Sequence, residues 1–137
     1  MTTVLCVITN EEQSVPLTLW SLRFAHAYRA TLKVVLVNSN KKPALLQNSV
    51  TQLKREIEEK HGAFIALGDS EISFQAGNIQ SAETEIPKLI KSFNPSLLVF
   101  TREQDRPSSE DNKILEAAFL DAPCATVALR IAKADPY

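Results

Sequence analysis

Apolar positions along the chain fall into two spacings that take turns from one end to the other. Residues 4–8 and 32–37 are short, near-continuous apolar runs rich in valine, the mark of strands covered on both faces. Leu17, Trp20, Phe24 and Tyr28 lie between them at helical steps, with Ser14 as the N-cap and Pro16 tolerated in the first turn. A second stripe, Leu46, Val50, Leu53 and Ile57, turns Leu53 and Ile57 toward the sheet or a partner helix. It leaves Glu56 and Lys60 as an i,i+4 pair on the wet side. Gly62 stands where a left-handed helix C-cap would fall. Ile72, Phe74 and Ala76 alternate as a strand does, and Ala82, Ile86, Leu89, Ile90 and Phe93 form a third helical stripe. Residues 97–100 read as a fourth strand. Ile114, Leu115, Ala118 and Phe119 line a fourth helix, and residues 125–131 read as a fifth strand.

The order is βαβαβαβαβ. Strands joined through helices need right-handed crossovers, which give a parallel sheet with helices on both faces. Two stretches resist this pattern. Pro87 sits inside the third stripe, where a helix-interior proline costs about 3 kcal/mol, so the helix either kinks there or starts late. Residues 63–67 fit a short strand or a packed loop, and periodicity does not choose between them.

Composition narrows the class of function. At 137 residues the chain is the length of one domain, expected to span residues 1–132 with a loose tail at 133–137. A net charge of −1 gives no electrostatic footprint for nucleic acid. No apolar run approaches the roughly 20 residues of a membrane span. The N-terminal segment lacks the basic flank of a signal peptide. Cys6 and Cys124, in apolar strand-like surroundings, read as small buried hydrophobes in a reducing, cytoplasmic setting.

Ligands of open α/β sheets gather at the carboxyl ends of the strands, beside the switch in strand order. The corners to inspect are residues 9–13, 38–42, 77–81 and 101–110. A P-loop or dinucleotide fingerprint needs clustered glycines. The three glycines are Gly62, Gly68 and Gly77, and none lies in the first or last of these corners. There is no CxxC, HExxH or GxSxG. His26 and His61 read as structural or surface residues, and Glu11 and Glu12 as a solvated turn. The residues give no enzyme and no cofactor or metal.

The order of pieces resembles the universal stress protein domain. TVLCVITNEEQS (residues 3–14) looks like its opening strand and corner. SLRFAHAYRATLKVVLVNS (21–39) is similar to its alanine-rich helix running into a buried strand. FLDAPCATVALR (119–130) places Ala122, Pro123 and Cys124 just before the last strand, as that family commonly does. The resemblance covers nearly the whole chain. It implies a three-layer, Rossmann-like sandwich of the adenine nucleotide alpha hydrolase type, with a five-stranded parallel sheet of order 3-2-1-4-5. It also implies frequent dimerisation through the last strand. In that order strands one and five are separated by strand four, roughly 9.6 Å at about 4.8 Å per step. A disulfide needs Cα atoms within about 7 Å, so two free thiols are expected. The last strand would be an edge, and Ala125, Val127, Leu129 and Ile131 would offer it to a second copy.

ATP-binding members of that family carry an aspartate after the first strand and a glycine pattern, G-x2-G-x9-G followed by Ser or Thr, after the fourth. Here Thr9 stands in the aspartate's place. Thr101 and Gln104 fall on the first two glycines, and Asn112 and Lys113 on the closing pair. A phosphate cradle needs bare backbone N–H groups. The stretch 101–113 has side chains throughout, Pro107 without an N–H, and its own acids Glu103, Asp105, Glu110 and Asp111. Ser108 and Asp111 have capping-box spacing, which would satisfy the helix N-terminus from within. The resulting expectation is a non-enzymatic, homodimeric regulatory domain that does not bind ATP. Two other readings stay open. One is a nucleotide switch with a rebuilt loop, held by Thr9, Asn10, Val37, Thr101, Arg102, Gln104, Asn112 and Lys113, with the cations at 102, 106 and 113 gripping phosphate. The other is the soluble domain of a larger chain such as a transporter.

Overall fold

The computed structural model describes residues 2–37, 42–68, 70–77, 82–101, 119 and 121–129, with the side chains of 82–85 excepted. In chain order the elements are β1 (Thr3–Ile8), a 3-10 turn (Glu11–Gln13), α1 (Ser14–Tyr28), β2 (Thr31–Val37), α2 (Pro43–Ile65), β3 (Ile72–Gly77), α3 (Ala82–Phe93), β4 (Leu97–Thr101) and β5 (Ala125–Leu129). The strands form one parallel sheet in the order β3-β2-β1-β4-β5, the order that the family resemblance implied.

The period of two along each strand divides the interior into two cores. Val4, Cys6 and Ile8 of β1 join Leu32, Val34 and Leu36 of β2 against α1 and α2. Leu5, Val7, Val35, Val37, Leu98 and Phe100 face the other way, against Ile86 and Ile90 of α3. Every residue from Val4 to Ile8 is at most 1% exposed. Both faces of β1 are covered, so its sequence is a run and not an alternation. Strand β3 is an edge with one covered face. Ile72, Phe74 and Ala76 pack on the first core while Gln75 is exposed, and its sequence alternates accordingly.

Helix α1 departs from the expected stripe. Trp20 is 45% exposed and Tyr28 64%, whereas the face turned to the sheet is Leu17, Thr18, Ser21, Leu22 and Ala25. Two hydroxyl residues are fully buried there because each donates to the carbonyl four residues back. Thr18 Oγ1 reaches Ser14 O at 2.7 Å and Ser21 Oγ reaches Leu17 O at 2.8 Å, so no polar atom is stranded. Ser14 does not act as a side-chain cap. The 3-10 turn precedes it, Ser14 N–H donates to Glu11 O, and the cap moves upstream to Asn10. The helix ends with Arg29 in the left-handed region (φ 53°). Ala30 N–H donates to Ala25 O and Arg29 N–H to His26 O, the paired bonds of a Schellman motif.

Helix α2 buries Leu46, Val50, Leu53 and Ile57, each worth about 1.5–3 kcal/mol in full burial. It carries the exposed Lys60–Glu56 ion pair at 3.2 Å. Its end corrects the sequence expectation. The backbone leaves helical geometry at His61 (φ −127°, ψ 19°) and then resumes to Ile65. Gly62 is not left-handed, and its carbonyl accepts from Ala66 N–H at 3.0 Å. The stretch 63–67 is therefore neither strand nor open loop: after the kink it completes the helix to Ile65 and closes it with a turn at 66 and 67. Helix α3 runs through Pro87 to Phe93 and ends on left-handed Asn94 (φ 45°). Proline at this sixth position removes one N–H and does not end the helix. Of the expected fourth helix, Phe119 is described. It is 2% exposed and stacks on Phe100 with centroids 4.5 Å apart. Ile114, Leu115 and Ala118 lie outside the described residues, as do residues 130 and 131 of the expected fifth strand and the tail.

Candidate functional site

The switch in strand order lies at β1, flanked by β2 on one side and β4 on the other. The carboxyl ends there are formed by Ile8, Val37 and Thr101. Thr9 bends the chain out of β1, partly buried. Asn10 follows in an extended conformation, and its Oδ1 accepts Glu12 N–H at 3.1 Å. The asparagine oxygen is thus bound to its own turn. Glu11 and Glu12 occupy the first turn after it, where acids complement the positive end of a helix. The helix terminus that an anion would seek is already flanked by negative charge. One group in this corner is unpaired: Gln13 Oε1 is buried without a hydrogen-bond partner among the described residues. Nothing in the sequence pattern marks a glutamine as turned inward, so this group was not legible there.

Val37 is 4% exposed and belongs to the second core. What it can present at the strand end is main chain. Its neighbour across the ladder is Gly77, where a Cβ would come within 2.8 Å of Val37 Cγ1 and 2.9 Å of Val35 Cγ1. A side chain at Gly77 would have to displace both valines, so this glycine serves strand packing. Thr101 closes β4, partly buried, paired with Leu129 of β5. Arg102, Gln104, Asn112, Lys113 and the capping-box pair Ser108 and Asp111 lie outside the described residues. Thr9, Asn10, Val37 and Thr101 therefore share the carboxyl edge of the sheet.

Other chemistry-bearing side chains are placed elsewhere. His26 packs its ring on Phe64, centroids 5.6 Å apart, and its Nε2 is buried without a hydrogen-bond partner among the described residues. Gly68 sits so close that a Cβ would be 2.4 Å from the imidazole. Among the described residues no group of three or more His, Cys, Asp or Glu is placed to hold a metal. No helix among them is long and apolar enough to cross a membrane. Cys6 and Cys124 are free thiols and pack into opposite cores, a stronger separation than the strand order alone provides. Burial pushes the Cys6 thiol up to about 12, against a smaller lowering by its hydrogen bond with Ser21. Burial also raises Cys124.

No family model matches the chain, and no curated protein matches its sequence. Solved structures do. A universal stress protein in complex with cAMP superposes with a TM-score of 0.61 at 14% identity, covering 96% of this chain and 98% of that one. The universal stress protein UspA from Lactobacillus plantarum gives 0.55 at 17%, covering 94% and 97%. The universal stress protein from Archaeoglobus fulgidus in complex with dAMP gives 0.56 at 11%, covering 93% and 96%. At these identities the likeness is one of fold: the chain has the five-stranded, Rossmann-like architecture of the universal stress proteins over nearly its full length.

Proposed function

We propose that this is a universal-stress-protein-like regulatory domain, non-enzymatic and acting in the cytoplasm, that does not hold a nucleoside triphosphate. The observation that carries the reading is the corner after β1. Thr9 occupies the place where ATP-binding relatives carry an aspartate. The Asn10 side chain is turned back to cap Glu12, and Glu11 and Glu12 place carboxylates at the start of α1. Phosphate approaching this corner meets like charge and a helix start that already has its acids. The sequence beyond β4 supports the same reading, since no glycine follows Gly77 and a bare backbone cradle cannot be built without one.

A second reading has its own support. The neighbouring structures with cAMP and dAMP hold monophosphates, which need far less of a phosphate cradle than ATP. An adenosine monophosphate could rest on the strand ends at Thr9 and Val37 with no glycine loop. Calorimetry against ATP, cAMP and dAMP separates the two. The proposal expects no binding of ATP below about 1 mM. Micromolar ATP would overturn it. Binding of a monophosphate alone would keep the loss of the triphosphate cradle and replace the ligand-free module with a nucleotide sensor.

A further inference from the structure

The outward face of α1 carries a feature that the corner after β1 does not explain. Trp20, the chain's single tryptophan, is 45% exposed. The guanidinium carbon of Arg23 lies 4.6 Å from the centre of its ring and 5.8 Å from the centre of the Phe64 ring. Arg23 is thus held against two aromatic rings, one on α1 and one on the last turn of α2. Stacking occupies the faces of a guanidinium and leaves its in-plane N–H donors free to project. No carboxylate among the described residues pairs with it.

The platform beneath is fixed by the features that the sequence pattern misread. The kink at His61 carries α2 on past Gly62 and brings Phe64 onto the His26 ring. Gly68 closes on that imidazole with no room for a Cβ. Leu67, three residues beyond Phe64, is 76% exposed. An exposed tryptophan and an oriented arginine with no acid paired to it among the described residues are the residue types that concentrate binding energy at interfaces.

We propose that this α1–α2 face is a docking surface for an acidic peptide segment of a partner protein. A carboxylate would be taken bidentately by Arg23, and an apolar side chain beside it would lie on Trp20. Charge complementarity chooses this occupant. Arg23, which meets no carboxylate among the described residues, is a planar fork that matches one, and its aromatic supports favour an apolar neighbour. Because Arg23 is already ordered by its rings, little side-chain entropy is left to lose on binding.

The test uses the intact chain and the fluorescence of Trp20. A blocked peptide alternating glutamate and leucine is titrated at low salt beside its lysine–leucine counterpart. Calorimetry with the same peptides gives a readout independent of the ring's surroundings. The expected result is saturable binding of the glutamate peptide only. It should weaken at least tenfold in Arg23→Gln and at least threefold in Arg23→Lys, which keeps the charge but loses the fork. Phe64→Leu should weaken it as well, by releasing Arg23 from one ring. Circular dichroism confirms that each variant is folded. No saturation, an equal response to the lysine peptide, or unchanged affinity in Arg23→Gln would overturn the proposal. So would a Trp20 signal that follows protein concentration without peptide, which would assign the face to a second copy of the chain.

Discussion

Cys6 shows how a single residue's surroundings set a measurable property of the fold. It lies fully buried in β1 among Val4, Ile8 and Val34, and burial holds its thiol up to about 12 from an ordinary value of 9.0. Between those two values the unfolded chain has lost the thiol proton and the folded chain has kept it. The native state then binds more protons, so stability falls as pH rises through that window and is unaffected by Cys6 below it. Urea unfolding from pH 8 to 10.5 should show a downward slope that Cys6→Ala reduces. An identical slope in the variant would mean that the thiol is not protected. Cys124 is only partly buried, so a thiol reagent should reach it in the native protein and reach Cys6 only on unfolding. That Cys6 is buried was legible from its valine and isoleucine neighbours. That Thr18 and Ser21 are buried on the facing side of α1 was not. A hydroxyl becomes apolar in effect only when its proton is taken by the preceding turn, and the sequence does not record that bond. Reading the stripe from the aromatic residues therefore rotated α1 toward Trp20 and away from its true face.

Elements were legible where burial alone decided them. The described strand bounds fall within a residue or two of the sequence reading, because a strand covered on both faces forces an apolar run, as in β1, and one covered on a single face an alternation, as in β3. Helix α2 showed its stripe because its other face is wet. Leu53 is 4% exposed there, and Leu53→Ala should cost about 2–5 kcal/mol. A loss below half a kcal/mol in urea would contradict its place in the core. The end of α2 was illegible because Gly62 carries two meanings. In a left-handed C-cap, alanine at this position would destabilise. In the observed structure Gly62 has an ordinary negative φ and nothing within 4 Å of an added Cβ. Gly62→Ala should therefore stabilise by about 0.5–1 kcal/mol, through helix propensity and a less flexible unfolded chain. The sign of that change, read from a thermal melt, distinguishes kink from cap. Within the candidate site, the places of Thr9 and Thr101 at the strand ends were legible because strand ends can be counted. Gln13 was missed because an inward-turned side chain on a 3-10 turn leaves no periodic trace.

At the scale of the whole molecule, the sheet has two edges, β3 and β5, and an edge strand is a row of unpaired N–H and C=O groups that invites another strand. The two are not equivalent. On the face of β3 away from its core lie Ser73, Gln75 and Gly77, none of them β-branched or aromatic. Strand β5 carries Thr126, Val127 and Leu129, with no charge between Ala125 and Leu129. A second copy laid antiparallel along β5 would satisfy the edge and close as a twofold dimer, since the same strand meets itself. Light scattering at micromolar concentration should then give about twice the 15.2 kDa of the chain. Val127→Pro removes a backbone donor from the middle of that strand and should return the mass to one chain, while Gln75→Pro on β3 should leave the dimer intact. A monomeric mass for the unaltered protein would rule the dimer out. A dimer broken by Gln75→Pro and untouched by Val127→Pro would move the contact to the opposite edge, where the strands' own sequence gives it least reason to be.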